Sequence, residues 1–118
     1  MPRDDVQVAG QMLDVLTRLR RVVGGRSRER LVGDEIRYLA ALHLLQILGE
    51  AANRTSPAFR AAHPDIPWTG IIGMRNRIVH GYDDVSDLLV WNAALEGVEQ
   101  LLPALARIVP PPSSGDAA

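Results

Sequence analysis

No cysteine occurs in the 118-residue chain, so disulfides and thiolate metal sites are excluded. This suits a reducing compartment, and the expected location is the cytoplasm. Lysine is absent too: the thirteen basic side chains are all arginine. Only five residues are aromatic, too few to lay out a stacking surface for single-stranded nucleic acid. No apolar run is long enough to cross a bilayer. The greasiest stretch, 38–48, is interrupted by His43 and Gln46, so no membrane association is expected. The polar start Met1-Pro2-Arg3-Asp4-Asp5 does not read as a secretory signal. The net charge of −1 gives no global basic field. Alternation of apolar and polar residues over four or more positions, the mark of a half-buried strand, is missing as well.

Helical periodicity is plain. Over about 4–23, Met12, Val15, Leu19 and Val22 recur at spacings of three and four, and Gly24-Gly25 closes the segment. A second helix is predicted over about 28–53. Its middle is apolar on nearly every side (Leu39, Ala40, Leu42, Leu44, Leu45, Ile47, Leu48), which marks the most buried helix. Residues 57–67 hold three prolines and room for one short helical turn. Pro67 suits the start of a third helix over about 67–80, and Gly81 suits a left-handed cap after it. Asp84 and Asp87 are candidate caps for a fourth helix. In that helix Leu88, Trp91, Leu95, Val98, Leu102 and Leu105 form an apolar stripe, with Pro103 a candidate kink. The expectation is an all-α, four-helix up-and-down bundle over residues 1–109, followed by a disordered tail over 110–118. An apolar stripe left uncovered on one helix would favour a dimer.

The stretch that carries chemistry is Met74-Arg75-Asn76-Arg77-Ile78-Val79-His80-Gly81-Tyr82. His80 falls in the last turn of its helix, where it can accept and deliver a proton. Asn76, four residues earlier and about 40° around the helix, is placed to contact or orient the ring. Arg75 lies about 140° around, yet its long side chain can wrap toward the same end. An arginine that holds phosphate oxygens beside a histidine that moves a proton suits a phosphodiester. The same spacing equally suits ordinary surface charges and a capping histidine.

Arg75-Asn76 followed by His80 resembles the motif of the HEPN superfamily: Arg, a polar residue, three more, then His. The extension to Tyr82 resembles the longer form found in HepT-type ribonuclease toxins. The flanks agree: Ile47-Leu48-Gly49-Glu50-Ala51 is similar to their helix-two signature, and Ile66-Pro67-Trp68 followed by Ile71-Ile72-Gly73-Met74 is similar to the run into their motif. The resemblance covers about residues 4–108. It implies a HEPN-like bundle that cuts RNA without metal or cofactor as a homodimer. It also implies a partner, a minimal nucleotidyltransferase antitoxin that silences the toxin by AMPylation of the motif tyrosine. By match, Arg75 and His80 are catalytic, Asn76 is supporting, and Tyr82 is the modified residue. The alternative is a non-catalytic, nucleotide-binding or docking partner of a nucleotidyltransferase.

Other features read two ways. His43, Gln46, Glu50 and Asn53 form a polar stripe on the second helix, either a solvent edge or a wall of the catalytic cleft, with Glu50 its first member to test. Six arginines between Arg18 and Arg30 either steer RNA, dock an acidic partner, or make a solvated corner. Asp83, Asp84 and Asp87 fit helix capping better than a metal site, since no His or Cys ligand spacing accompanies them. Trp68 and Trp91 are expected to anchor the core or an interface.

Overall fold

The computed structural model describes residues 3–81 and 85–110, and its regular structure there is entirely helical. In chain order the elements are α1 (Arg3–Val23), α2 (Arg28–Gly33), α3 (Glu35–Asn53), α4 (Pro57–Ala62), α5 (Trp68–His80), α6 (Asp87–Glu96), a π-helical turn (Gly97–Leu101) and α7 (Leu102–Ile108). The all-α class expected above is therefore observed. The count differs: four expected helices appear as seven α segments, for reasons the local chemistry supplies. Tyr82, Asp83, Asp84 and the tail from 111 lie outside the described residues.

The segment read as one helix over 28–53 breaks at Asp34. That residue is extended (φ −103°, ψ 95°), its N–H bonding back to Leu31 while its carboxylate accepts from the Arg37 N–H. It thus ends α2 and caps α3 at once. Pro67 stands just outside α5 as its cap residue, not as its first helical residue. Gly81 ends α5 in an extended conformation (φ 163°, ψ 125°) and not in the left-handed one expected for it. The left-handed cap is instead Gly25, at φ 72° after α1. The cap of α6 is Ser86, whose hydroxyl accepts from the Leu89 N–H, so Asp87 is the first helical residue and not the cap. Asp87 lies against Tyr38 of α3. Burial, then this carboxylate, pushes the Tyr38 phenol up to about 12.

α3 packs between α1 and α5 and is the centre of the core. Ala41, Leu42, Leu45, Leu48, Gly49, Ala51 and Ala52 are buried on it, as its composition predicts. It is not buried all round: Leu39 is 48% exposed and Ile36 82%. Met12, Leu16, Leu19, Leu31 and Leu105 are fully buried around it. Each such leucine contributes about 1.5–3 kcal/mol relative to an exposed one. Trp68 is buried, its indole N–H donating to the His63 carbonyl and its ring edge-on to Phe59, so it is the core anchor expected.

The last helical stretch buries a different face from the one predicted. Val90, Ala94, Gly97, Leu101 and Leu105 point into the core. Leu88 is half exposed, and Trp91, Leu95, Val98 and Leu102 are only partly covered. Pro103 does mark a distortion. It has no N–H to donate, and its ring would strike a carbonyl one turn back. The preceding turn widens to accommodate it, with the Leu102 N–H bonding to the Gly97 carbonyl, five residues back.

One buried charge fixes the N-terminal end of α1. Asp5, 3% exposed, accepts from the Ser56 N–H (2.8 Å) and the Ser56 hydroxyl (2.7 Å), while that hydroxyl caps α4 by accepting from the Phe59 N–H. These bonds hold the Asp5 carboxyl below its ordinary value of 3.8, with burial opposing them. A carboxyl with a lowered folded-state pKa adds stability above its unfolded value, and that stability is lost as pH falls through the folded value. Urea unfolding at several pH values is therefore expected to show wild type more stable than Asp5→Asn at neutral pH. The gap should narrow once pH drops below about 4. A gap independent of pH would refute the assignment.

Candidate active site

The site grows out of one close helix crossing. α3 and α5 run antiparallel, and Gly49 lies at their nearest approach. A Cβ at position 49 would fall onto the Cβ of Arg75 and within 2.9 Å of the Ile71 carbonyl oxygen. Only glycine lets the two backbones meet here. This contact brings α5's Arg75 beside α3's Glu50.

Around Arg75 three polar side chains assemble. Its Nη1 donates to Asn76 Oδ1 at 3.1 Å, and its Nε stands 4.0 Å from Glu50 Oε1. The same Glu50 oxygen accepts from Gln46 Nε2 at 3.1 Å. The Arg75–Glu50 pair is long and partly exposed, worth at most about 1 kcal/mol. It orients the guanidinium without locking it, so a phosphate can displace the carboxylate. The stripe suggested by the sequence thus divides. Gln46 and Glu50 reach Arg75, exposed His43 lies further along the same helix, and Asn53 faces another groove. Gln46 was legible only as part of that stripe; its bond to Glu50 adds it to the site.

His80 is the last residue of α5 and is exposed. It shares with Asn76 one face of the helix, one turn apart, or about 6 Å along the axis. Among the described residues no hydrogen bond joins His80 to Arg75 or to Asn76; Asn76 uses its carbonyl oxygen on Arg75 instead of orienting the imidazole. Arg77 points away, lining a cleft of about 430 Å³ between α5 and α6 with Met74, Leu89 and Ala93. Among the described residues no three His, Asp or Glu side chains lie close enough to hold a metal ion, and no helix is long and apolar enough to cross a membrane. In the Arg18–Arg30 cluster, Arg18 pairs with Asp14 at 3.3 Å and Arg28 with Glu29 at 3.7 Å, both exposed.

A helical fold with an Arg-polar-x3-His motif ending one of its central helices defines a HEPN-like protein. The comparisons specify it further: residues 12–108 match the family described as ribonuclease HepT-like, and the chain belongs to that family. A protein of Caldanaerobacter subterraneus subsp. tengcongensis named "Putative RNase" is 34% identical over 67% of this chain and 70% of its own length. One from Thermococcus cleftensis named "Probable ribonuclease HepT" is 30% identical over 62% of this chain and 66% of its own. Another of the first name, from Methanocaldococcus jannaschii, is 23% identical over 92% of this chain and 95% of its own. No solved structure matches the chain.

Proposed function

We propose that this protein is a metal-independent endoribonuclease, the toxin of a toxin–antitoxin pair, in which Arg75 and His80 cut RNA in a dimeric cleft. The observation that carries this reading is Arg75, held loosely at the surface by Asn76 and Glu50 on the helix that ends in the exposed His80, in a chain of the HepT-like family.

The chemistry follows from these groups. The 2′-hydroxyl attacks the adjacent phosphorus as a base takes its proton, and the P–O5′ bond breaks as an acid protonates the leaving oxygen. Arg75 stabilises the charge that gathers on the non-bridging oxygens. The products are a 2′,3′-cyclic phosphate and a 5′-hydroxyl. One chain supplies a single motif histidine; two chains related by a two-fold axis supply both base and acid. Support for such a pairing comes from exposed apolar residues near the motif. Val79, one turn beyond Arg75 on the same face of α5, is 47% exposed, and Ile36 and Leu39 continue the α3 edge that bears Gln46 and Glu50.

The test is incubation of purified protein with tRNA or mRNA in chelator, with analysis of the new ends. Cleavage to cyclic phosphates is expected. Nucleotide binding without cleavage would sink the reading and favour the non-catalytic alternative.

The partner in this reading is a nucleotidyltransferase that transfers AMP to Tyr82. An AMP ester two residues beyond His80 sets bulk and negative charge where the RNA phosphate would lie. After co-expression with that partner, mass spectrometry of the silenced toxin should show AMP on Tyr82. A silenced complex with unmodified tyrosine would contradict it.

A further inference from the structure

Beside the motif runs a second, polar groove of about 600 Å³, lined by Asn53, Arg60, Trp68, Thr69, Ile72 and Asn76 among others. Thr69, Ile72, Gly73, Asn76 and His80 form one stripe of α5, so the groove leads away from the motif along the helix. Thr69 lies about 10 Å along the axis from Asn76. This is beyond the reach of the group that holds the scissile phosphate.

Arg60, on the short α4, gives the groove its charge, and the way it is held is unusual for a surface arginine. Its Nε donates to Thr55 Oγ1 at 3.0 Å, and its Nη2 donates to the Thr55 carbonyl at 2.7 Å and the Asn53 carbonyl at 3.2 Å. These bonds occupy three of the five N–H donors of the guanidinium and leave both on Nη1. All three acceptors are neutral oxygens. Among the described residues no carboxylate pairs with Arg60, so its positive charge is fixed in place yet not neutralised. The long side chain has already lost its rotamer freedom to the fold, so binding an anion takes less from it. Exposed Asn53, Thr69 and Asn76 add neutral hydrogen-bonding groups on either side.

We infer that this groove is a subsite for the RNA strand beyond the scissile bond, with Arg60 gripping a flanking phosphate. The inference rests on the ribonuclease reading and adds a binding residue outside the motif. Arg60 is a binding group and takes no part in bond cleavage.

The experiment uses the full-length protein carrying His80→Ala, so that RNA stays intact, and a fluorescein-labelled, mixed-sequence single-stranded oligoribonucleotide titrated at several salt concentrations. Wild type is assayed for cleavage of the same RNA in parallel. Arg60→Gln removes the charge. Thr69→Glu places an opposing charge in the groove and leaves the Arg60 clamp untouched. Both are expected to weaken binding by roughly tenfold. Arg60→Gln should also flatten the slope of log affinity against log salt by about 0.7, the value for one lost phosphate contact on a single strand. If wild type binds and cuts RNA while both variants bind with unchanged affinity and slope, the subsite is overturned and the ribonuclease reading stands. If only Arg60→Gln weakens binding, the loss belongs to the broken clamp and the subsite is again overturned. If wild type neither binds nor cuts RNA, both readings fall together.

Discussion

Replacing His80 with alanine is expected to slow RNA cleavage by about 10²–10⁴-fold, the usual contribution of a positioned proton-transfer group. Arg75→Ala is expected to cost about 10²–10³-fold, the range for one preorganised group facing transition-state charge. Arg75→Lys should rescue little, because an ammonium is a point charge without the planar fork that matches phosphate. The double variant should be hardly worse than the poorer single one, since groups that act as a unit lose their effect together. His80 is exposed and Arg75 partly so, and the stability of His80→Ala should stay within about 0.5 kcal/mol of wild type. Lost activity would then not be lost fold. Single-turnover rates on labelled RNA with chelator measure the first effect, and thermal unfolding the second. Mixing adds a sharper check. If two chains each lend a histidine to one cleft, wild type diluted by exchange into His80→Ala should lose activity as the square of its fraction. A linear decline would mean each chain cleaves alone, and cleavage by His80→Ala at the wild-type rate would end the proposed mechanism.

The second large effect lies at Gly49, which touches no substrate in this scheme. Gly49→Ala is expected to destabilise the fold by about 1–2 kcal/mol, although alanine is the better helix former by about 1 kcal/mol. The added methyl meets a backbone carbonyl and the Cβ of Arg75, neither of which is the free end of a flexible chain. α5 must move away from α3, and Arg75 moves with it, away from Glu50. Cleavage should therefore drop along with stability. Gly70→Ala is the matched control. It lies in the same pair of helices, but its Cβ would meet nothing within 4 Å. It should be stabilising by about 0.5–1 kcal/mol. Denaturant midpoints for both variants test this, and equal effects at the two positions would remove Gly49 from its assigned role.

Most of the helices can be read directly from the sequence, because spacings of three and four are strong in α1 and the Gly24-Gly25 stop is unambiguous. The division of α2 from α3 is not legible, since a single aspartate serves both helix ends. The buried face of α6 and α7 is misread for a related reason. Leu88, Leu89, Val90, Trp91, Ala93, Ala94 and Leu95 leave almost no polar side, so periodicity cannot choose between rival stripes. At the site, Arg75, Asn76 and His80 stand out as a motif, and Glu50 as one of a polar row. Their arrangement does not. That Asn76 bonds to Arg75 and not to His80 depends on how an extended arginine curls. The clamp on Arg60 is equally hidden, because its acceptors include two main-chain carbonyls that the sequence does not distinguish from any others.

The widened turn before Pro103 carries a consequence for the chain's last two turns. Deleting any one residue between Gly97 and Leu101 would swing everything after it by about 100° around the axis. Leu105, which has no exposed surface now, would rotate toward water, and a neighbour such as Ala106 or Ala104 would take its berth. How deeply this end of the protein seats is thus a matter of counting. The spare residue works as a vernier, bringing two lengths of helix with different phase to bear on one wall of the core.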